Sequence, residues 1–185
     1  MPRRKLKFVP GEIYHLYNRG VGRSPIFAAP DDYYFFTTKI WSYSRSLKIP
    51  ILACCLMPNH YHLVVSQAGD TPAGQLPQRV CNCYSKRFNR RNERSGTLFQ
   101  GRYRAKHVQT QEYLEQVCAY VHLNPVLAGL VKKPEHWPYS DYNRWIGSSV
   151  AIDPMKIHSD LGLKLGGDYR QVVAAILSDK RELQS

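Results

Sequence analysis

No stretch of the 185-residue chain approaches the roughly 18 consecutive apolar residues that a membrane helix requires, so no span is expected. The basic start, Met1-Pro2-Arg3-Arg4-Lys5, is not followed by the apolar segment of a secretory signal. The five cysteines (Cys54, Cys55, Cys81, Cys83 and Cys118) are odd in number and include no Cys-x-x-Cys pair. A disulfide framework is therefore not expected, and a reducing cytoplasm is the expected location. Cys81 and Cys83 resemble half a zinc site, but no second pair completes it, and inert thiols are expected there. No internal repeat is present. Acidic residues are scarce beside basic ones: 14 Asp and Glu against 26 Lys and Arg leave a net charge of +12. Such an excess on a small domain points to a polyanionic partner, most simply nucleic acid.

With 43% hydrophobic residues the chain has the composition of a globular domain with a sizeable core. Its most informative segment is Met57-Pro58-Asn59-His60-Tyr61-His62-Leu63-Val64-Val65. Residues 51–57 and 60–65 read as buried strands joined at Pro58-Asn59. Alternate side chains of a strand share a face, so His60 and His62 point the same way, roughly 7 Å apart along the chain. Two neutral imidazoles so placed can grip one cation, which can in turn polarise a phosphate or carbonyl.

Around this pair, residues 12–18 alternate as a strand, and Asp31 or Asp32 is placed to cap a helix reaching about Ser46. Tyr34, Thr38, Trp41 and Arg45 recur on it at helical spacing. Residues 69–74 form a loop. A helix over 75–93 presents Val80, Tyr84 and Phe88 on one face, which makes them core residues first and base-stacking candidates second. An extended run covers 102–108. A further helix starts near Thr110 and ends at Pro125, because the residue before a proline resists the helical region. The order strand, helix, strand, strand, helix, strand, helix predicts an α+β ferredoxin-like split βαβ sandwich with one antiparallel sheet. Residues 1–147 are expected to form this domain. Residues 148–185, punctuated by Asp153-Pro154 and Gly166-Gly167, are expected to form a short helical C-terminal appendage of open role.

On the helix after Thr110, Leu114, Val117, Cys118 and Val121 share a core-facing stripe, while Tyr113, Tyr120 and Asn124 cluster on the neighbouring flank. Tyr120 and Asn124 are one turn apart and reach the same small volume, a phenol beside an amide. His122 lies roughly 200° from Tyr120 on the helix and is expected to point away, so no general base is identified. Arg79, Lys86, Arg87, Arg90, Arg91 and Arg94 load one helix, and Arg102, Arg104 and Lys106 load the strand after it, with Tyr84, Phe88, Phe99 and Tyr103 interleaved. Cations that track phosphates beside rings that stack bases suit single-stranded or hairpin DNA. Arg3, Arg4, Lys5 and Lys7 are candidates for a basic arm reaching a groove.

Met57-Pro58-Asn59-His60-Tyr61-His62-Leu63-Val64-Val65 resembles the His-hydrophobic-His (HUH) strand of single-tyrosine transposases. Tyr120-Val121-His122-Leu123-Asn124-Pro125-Val126 resembles their tyrosine helix, in the version found in REP-associated tyrosine transposases. Tyr14-His15-Leu16-Tyr17-Asn18-Arg19-Gly20, Gly96-Thr97-Leu98-Phe99-Gln100-Gly101-Arg102-Tyr103 and Trp137-Pro138-Tyr139-Ser140 are similar to the connecting segments, in the same order. The resemblance spans residues 11–145. It implies a nuclease and strand transferase acting on single-stranded or hairpin DNA of a palindromic repeat. Tyr120 would attack the scissile phosphate, form a 5′-phosphotyrosine link and release a 3′-hydroxyl. His60, His62 and Asn124 would hold Mg²⁺ or Mn²⁺; ligand chemistry alone would favour a metal such as Zn²⁺. Some members carry glutamine at the amide position, and the shorter Asn124 must sit closer. Insertion-sequence relatives exchange the tyrosine helix between subunits whereas REP-associated ones act alone, so monomer and homodimer both stand, with the lean toward monomer. A nucleoid-associated cytoplasmic enzyme is the expectation. Its rival is a non-catalytic DNA hairpin binder acting in regulation or repeat maintenance; an RNA-acting enzyme fits the charge but not the motif order.

Overall fold

The computed structural model describes residues 6–148 and 168–182. Four strands, β1 (Ile13–Arg19), β2 (Ile51–Met57), β3 (His60–Ser66) and β4 (Arg104–Val108), form one antiparallel sheet in the order β2-β3-β1-β4. Helices α1 (Pro30–Leu47) and α2 (Gln75–Arg91) follow β1 and β3, and α3 (Gln111–Leu127) follows β4. This is the expected ferredoxin-like arrangement.

Strand alternation divides the core. Tyr14, Leu16, Cys54, Leu56, Tyr61, Leu63 and Val65 point to one face and pack with Phe36 and Ile40 of α1 and Val80, Tyr84 and Phe88 of α2. Ala53, Cys55, Met57, Val64 and Val108 point to the other face and meet Leu114, Val117, Cys118 and Val121 of α3. The apolar stripe projected for α3 is thus the one it buries. Each fully buried aliphatic or aromatic side chain contributes roughly 1.5–3 kcal/mol, so β3, buried over Tyr61–Val65, is heavily committed on both faces. Tyr84 is a core residue whose hydroxyl donates to the Ile26 carbonyl.

Two local details differ from expectation. Neither Asp31 nor Asp32 is the N-cap of α1; Ala29 is, and Asp32 reaches back so that its Oδ2 accepts from the Ala28 and Ala29 amides at 2.9 and 3.2 Å. As its helical spacing implies, the row Tyr34, Thr38, Trp41 and Arg45 follows one side of α1, with Tyr34 67% exposed and Trp41 half-buried against the core, while Tyr33, Phe36, Ile40 and Leu47 are buried. Finally, α3 does not stop at Pro125 but runs on to Leu127. A proline forfeits only the bond to the carbonyl four residues back, and the ladder resumes as the Ala128 amide donates to Asn124 at 2.9 Å.

Among the described residues of the appendage there is one helix, α5 (Tyr169–Glu182); Asp153-Pro154 and Gly166-Gly167 lie outside the described residues. Tyr169 and Val173 pack on Ala119 and Leu123 of α3 together with Tyr142 of α4 (Tyr142–Trp145). Beneath them lies a buried polar chain. Asp141 Oδ1 accepts from the Cys54 amide and from His122 Nε2, both at 2.8 Å, and His122 Nδ1 accepts from the Tyr169 hydroxyl at 2.6 Å. Burial pushes the Tyr169 phenol well up, so it stays protonated and donates. As expected from its place on the helix, His122 points away from Tyr120.

Candidate active site

Pro58 and Asn59 form the two-residue turn between β2 and β3, and the segment after β1 clamps it. The Pro58 carbonyl accepts from Ile26 at 2.8 Å and the Asn59 carbonyl from Gly20 at 2.8 Å. Gly20 is required there, because a Cβ would lie 2.1 Å from the Ser24 carbonyl oxygen. Asn59 Nδ2 donates to the Arg23 carbonyl at 3.1 Å, which leaves its Oδ1 to accept from His60 Nδ1 at 2.6 Å. His60 is therefore the Nδ1–H tautomer, and its Nε2 lone pair is left for the cleft. His62 follows two residues on, ring centroids 5.0 Å apart, with its Nδ1 held 2.9 Å from His15 Nε2.

From the opposite side α3 brings Tyr120, whose ring lies edge-on to His62 at 5.7 Å between centroids. One turn on, Asn124 donates through Nδ2 to the Tyr120 carbonyl at 2.7 Å, leaving its Oδ1 as the acceptor beside His60. The phenol, both imidazoles and the amide thus converge within a single chain.

Tyr120, His60 and His62 border a cleft of about 370 Å³ that is also lined by Arg19, Arg23, Gln100, Arg102 and Arg104, with no carboxylate among its lining residues. Cross-strand register explains the clustering. Arg104 pairs with Tyr17, Tyr17 with His62 and Arg19 with His60, and paired residues share a face of the sheet. Lys106 lines the adjoining hollow with His15, Tyr113, Tyr120 and Ile176 of α5. The other basic candidates lie elsewhere. Lys86, Arg87 and Arg90 line a groove with Phe35 and Tyr43 on the α1–α2 layer, across the sheet from the histidines. Arg91 pairs with Asp31 at 3.3 Å and Asp32 at 3.7 Å. Arg3, Arg4 and Lys5 lie outside the described residues. All five cysteines are free thiols, and Cys81 Sγ lies 3.2 Å from the Tyr61 hydroxyl.

Burial lowers the pKa of all three histidines. His15 is held down to about 4 by burial and then by the Lys106 charge. His62 is held well below its ordinary value by burial and then by its two histidine neighbours. His60 is lowered by burial, against the opposing pull of the Asn124 side-chain acceptor. Neutral imidazoles keep the lone pairs that a cation needs. The same shifts set an acid limit on the metal-free fold. Below pH 6.5 the unfolded chain takes up protons that these buried rings refuse, so their contribution is intact above that pH and fades as pH falls toward about 4. At about 1.4 kcal/mol per pH unit, His15 alone accounts for about 3 kcal/mol. The guanidinium midpoint should therefore fall steeply between pH 6.5 and 4.5; a flat midpoint would show that the rings are hydrated.

His15, Asn59, Arg19 and Arg23 were not singled out as site residues in the sequence. The available signal was alternation, which puts His15 on the side of β1 shared with Tyr17; nothing local names β3 as its neighbour. Among the described residues no three or more of His, Cys, Asp and Glu gather as a metal cage, and no helix is long and apolar enough to cross a membrane.

No curated protein matches the chain significantly. Among solved structures, a REP-associated tyrosine transposase bound to a REP hairpin superposes with a TM-score of 0.66 at 19% identity, covering 89% of this chain and 100% of that one. A Deinococcus radiodurans protein named as a transposase candidate gives 0.43 at 13% identity over 65% of this chain and 94% of its own. The first of these shares the fold. The sequence itself matches the IS200-like transposase model over residues 9–124, a span that takes in β1 with His15, the two-histidine strand and α3 as far as Asn124. By that match the chain belongs to the IS200-like transposase family.

Proposed function

We propose that this chain is a metal-dependent, transposase-like DNA endonuclease and strand transferase that nicks and rejoins single-stranded or hairpin DNA through a 5′-phosphotyrosine intermediate. The observation that carries this is the convergence of Tyr120, His60 and His62 of one chain on a cleft lined by arginines and free of carboxylates, with Asn124 against His60 one turn from Tyr120. The transposase family and the fold shared with a protein solved on a REP hairpin support a structured DNA strand as substrate.

Tyr120 is the nucleophile. Its phenolic oxygen bonds to the scissile phosphorus as the bond from phosphorus to the 3′ oxygen breaks, and the leaving strand departs as a 3′-hydroxyl. The phenol proton passes to water or to the substrate, and reversal with another 3′ end rejoins the strand without a nucleotide cofactor. A phenol of pKa about 10 is a weak nucleophile at neutral pH, so positioning and charge must do much of the work. Arg19, Arg23, Arg102 and Arg104 bind and orient the phosphate backbone. His60 and His62, through Nε2, and Asn124, through Oδ1, would hold Mg²⁺ or Mn²⁺. Bound there, the ion supplies charge neutralisation at a non-bridging phosphate oxygen. The donor set fits a divalent cation: two neutral imidazoles and an amide oxygen leave the ion's charge for the substrate phosphate, and while the imidazoles by themselves would favour Zn²⁺, the family resemblance points to Mg²⁺ or Mn²⁺. With all four groups in one chain, we assign catalysis to a monomer, its catalytic unit to residues 1–147 and its place to the nucleoid. Residues 148–185 are then an accessory whose helix α5 backs the tyrosine helix.

The rival is a DNA hairpin binder without catalysis, which the same arginine-lined cleft would serve. One experiment separates them. Protein mixed with Mn²⁺ and an end-labelled DNA hairpin bearing a single-stranded flank is expected to give a protease-sensitive covalent adduct on a denaturing gel, lost when EDTA removes the ion. Tight hairpin binding with no adduct on any such substrate would leave the binder.

A further inference from the structure

His15 lies outside the His-x-His strand, yet it holds one of its two imidazoles. Its Nε2 is 2.9 Å from His62 Nδ1, the ring centroids are 5.1 Å apart with planes 26° from parallel so that the rings meet edge to edge, and the two residues are 5% and 6% exposed. An imidazole pair joined this way has one proton between its facing nitrogens. Carried by His62 Nδ1, it leaves the Nε2 lone pair of His62 for the cleft. Carried by His15 Nε2, it puts the proton of neutral His62 on Nε2 and closes that position to a cation. At His60 the same choice is already made by Asn59, whose oxygen can only accept.

We propose that His15 is the positioning residue of His62: it accepts the Nδ1–H of His62 and thereby presents the Nε2 of His62 to the cleft, as Asn59 does for His60. The proposal rests on the assignment of His62 as a cation ligand. His15 itself touches neither ion nor phosphate. It fixes tautomer and ring orientation, the task that carboxylates and carbonyls perform behind ligating histidines elsewhere, where loss of the partner costs 10–100-fold in metal affinity. Placement on β1 suits it to the task, because His15 and Tyr17 occupy the face of the sheet that His62 shares, and the Tyr17 ring lies 4.9 Å away as a lateral support.

The test uses the full chain in two measurements. In the metal-free protein, nitrogen-15 NMR of the histidine rings reads the tautomer directly, with His62→Ala assigning the signal. His62 is expected as Nδ1–H. Finding Nε2–H in the wild type would overturn the proposal without any metal being involved. In Mn²⁺ titrations followed by electron paramagnetic resonance, His15→Phe keeps an aromatic ring at the position but loses the acceptor and should weaken binding 10–100-fold. His15→Gln restores an acceptor and should recover most of that loss. A folded His15→Phe that binds Mn²⁺ within twofold of wild type counts against the proposal; should that variant fail to fold, the wild-type tautomer decides alone. Wild-type protein with Nδ1–H at His62 but no Mn²⁺ binding would sink the ligand assignment and leave the His15–His62 hydrogen bond standing.

Discussion

Tyr120→Phe is expected to lower DNA strand cleavage by about 10³-fold or more while changing hairpin affinity by less than about twofold. The substitution removes one atom, the one proposed to form the covalent bond, and leaves the ring that meets His62 edge-on. Nothing else in the cleft substitutes for it: the remaining lining groups are imidazoles, amides, guanidiniums and the phenol of Tyr17. Tyr17 is the internal control. It sits on the sheet with its ring stacked on His62 at 5.7 Å, parallel rather than edge-on, and it is carried by a different element. Gel assays of cleavage and of binding on the same labelled hairpin check both halves. Cleavage by Tyr120→Phe with a covalent adduct still forming would move the nucleophile to Tyr17; cleavage without an adduct would make water the attacking group and end the phosphotyrosine mechanism.

The second large effect is on stability. Asp141→Ala is expected to destabilise the fold by about 3–5 kcal/mol, because it strands buried partners that have nowhere else to turn. Asp141 is 5% exposed and its Oδ1 serves both the Cys54 amide of β2 and the His122 ring of α3, which passes the chain on to Tyr169 of α5. Three elements lose a common anchor at once. Asp141→Asn keeps an acceptor oxygen and should recover part of the loss. Chemical denaturation measures the two differences directly, and an Asp141→Ala midpoint equal to wild type would show that water fills the gap at no cost. Tyr169→Phe, which removes only the last link of the chain, should cost far less, about 1 kcal/mol.

Periodicity was enough to recover the architecture. The alternating run before Gly20, the apolar segments around Pro58-Asn59 and the stripe of Leu114, Val117, Cys118 and Val121 each carry the period of the element they form. Period does not say which side of a helix is wet when both carry aromatics: Tyr34 and Tyr33 are neighbours, and only packing against Phe27 and Tyr139 selects Tyr33 for the interior. Nor does a proline say where a helix ends once the following amides find their own acceptors, as at Ala128. In the site, His60, His62, Tyr120 and Asn124 could be named from local spacing, and the structure brings them together. His15 and Asp141 could not, since their partners are 47 and 19 or more residues away and no local pattern encodes a hydrogen bond over that distance. The basic residues show the same limit. Charge density marks α2 and β4 alike, but only strand register sends Arg104 and Lys106 to the histidine side.

The alternation along β3 ties chemistry to inheritance. His60 and His62 occupy the odd beats of a strand whose even beats, Tyr61 and Leu63, are wholly enclosed. A slip of a single residue would rotate both imidazoles into the α1–α2 core and turn a tyrosine and a leucine toward the cleft side. The arginines at the rim can change one at a time, but the two imidazoles can move only if the whole domain unravels.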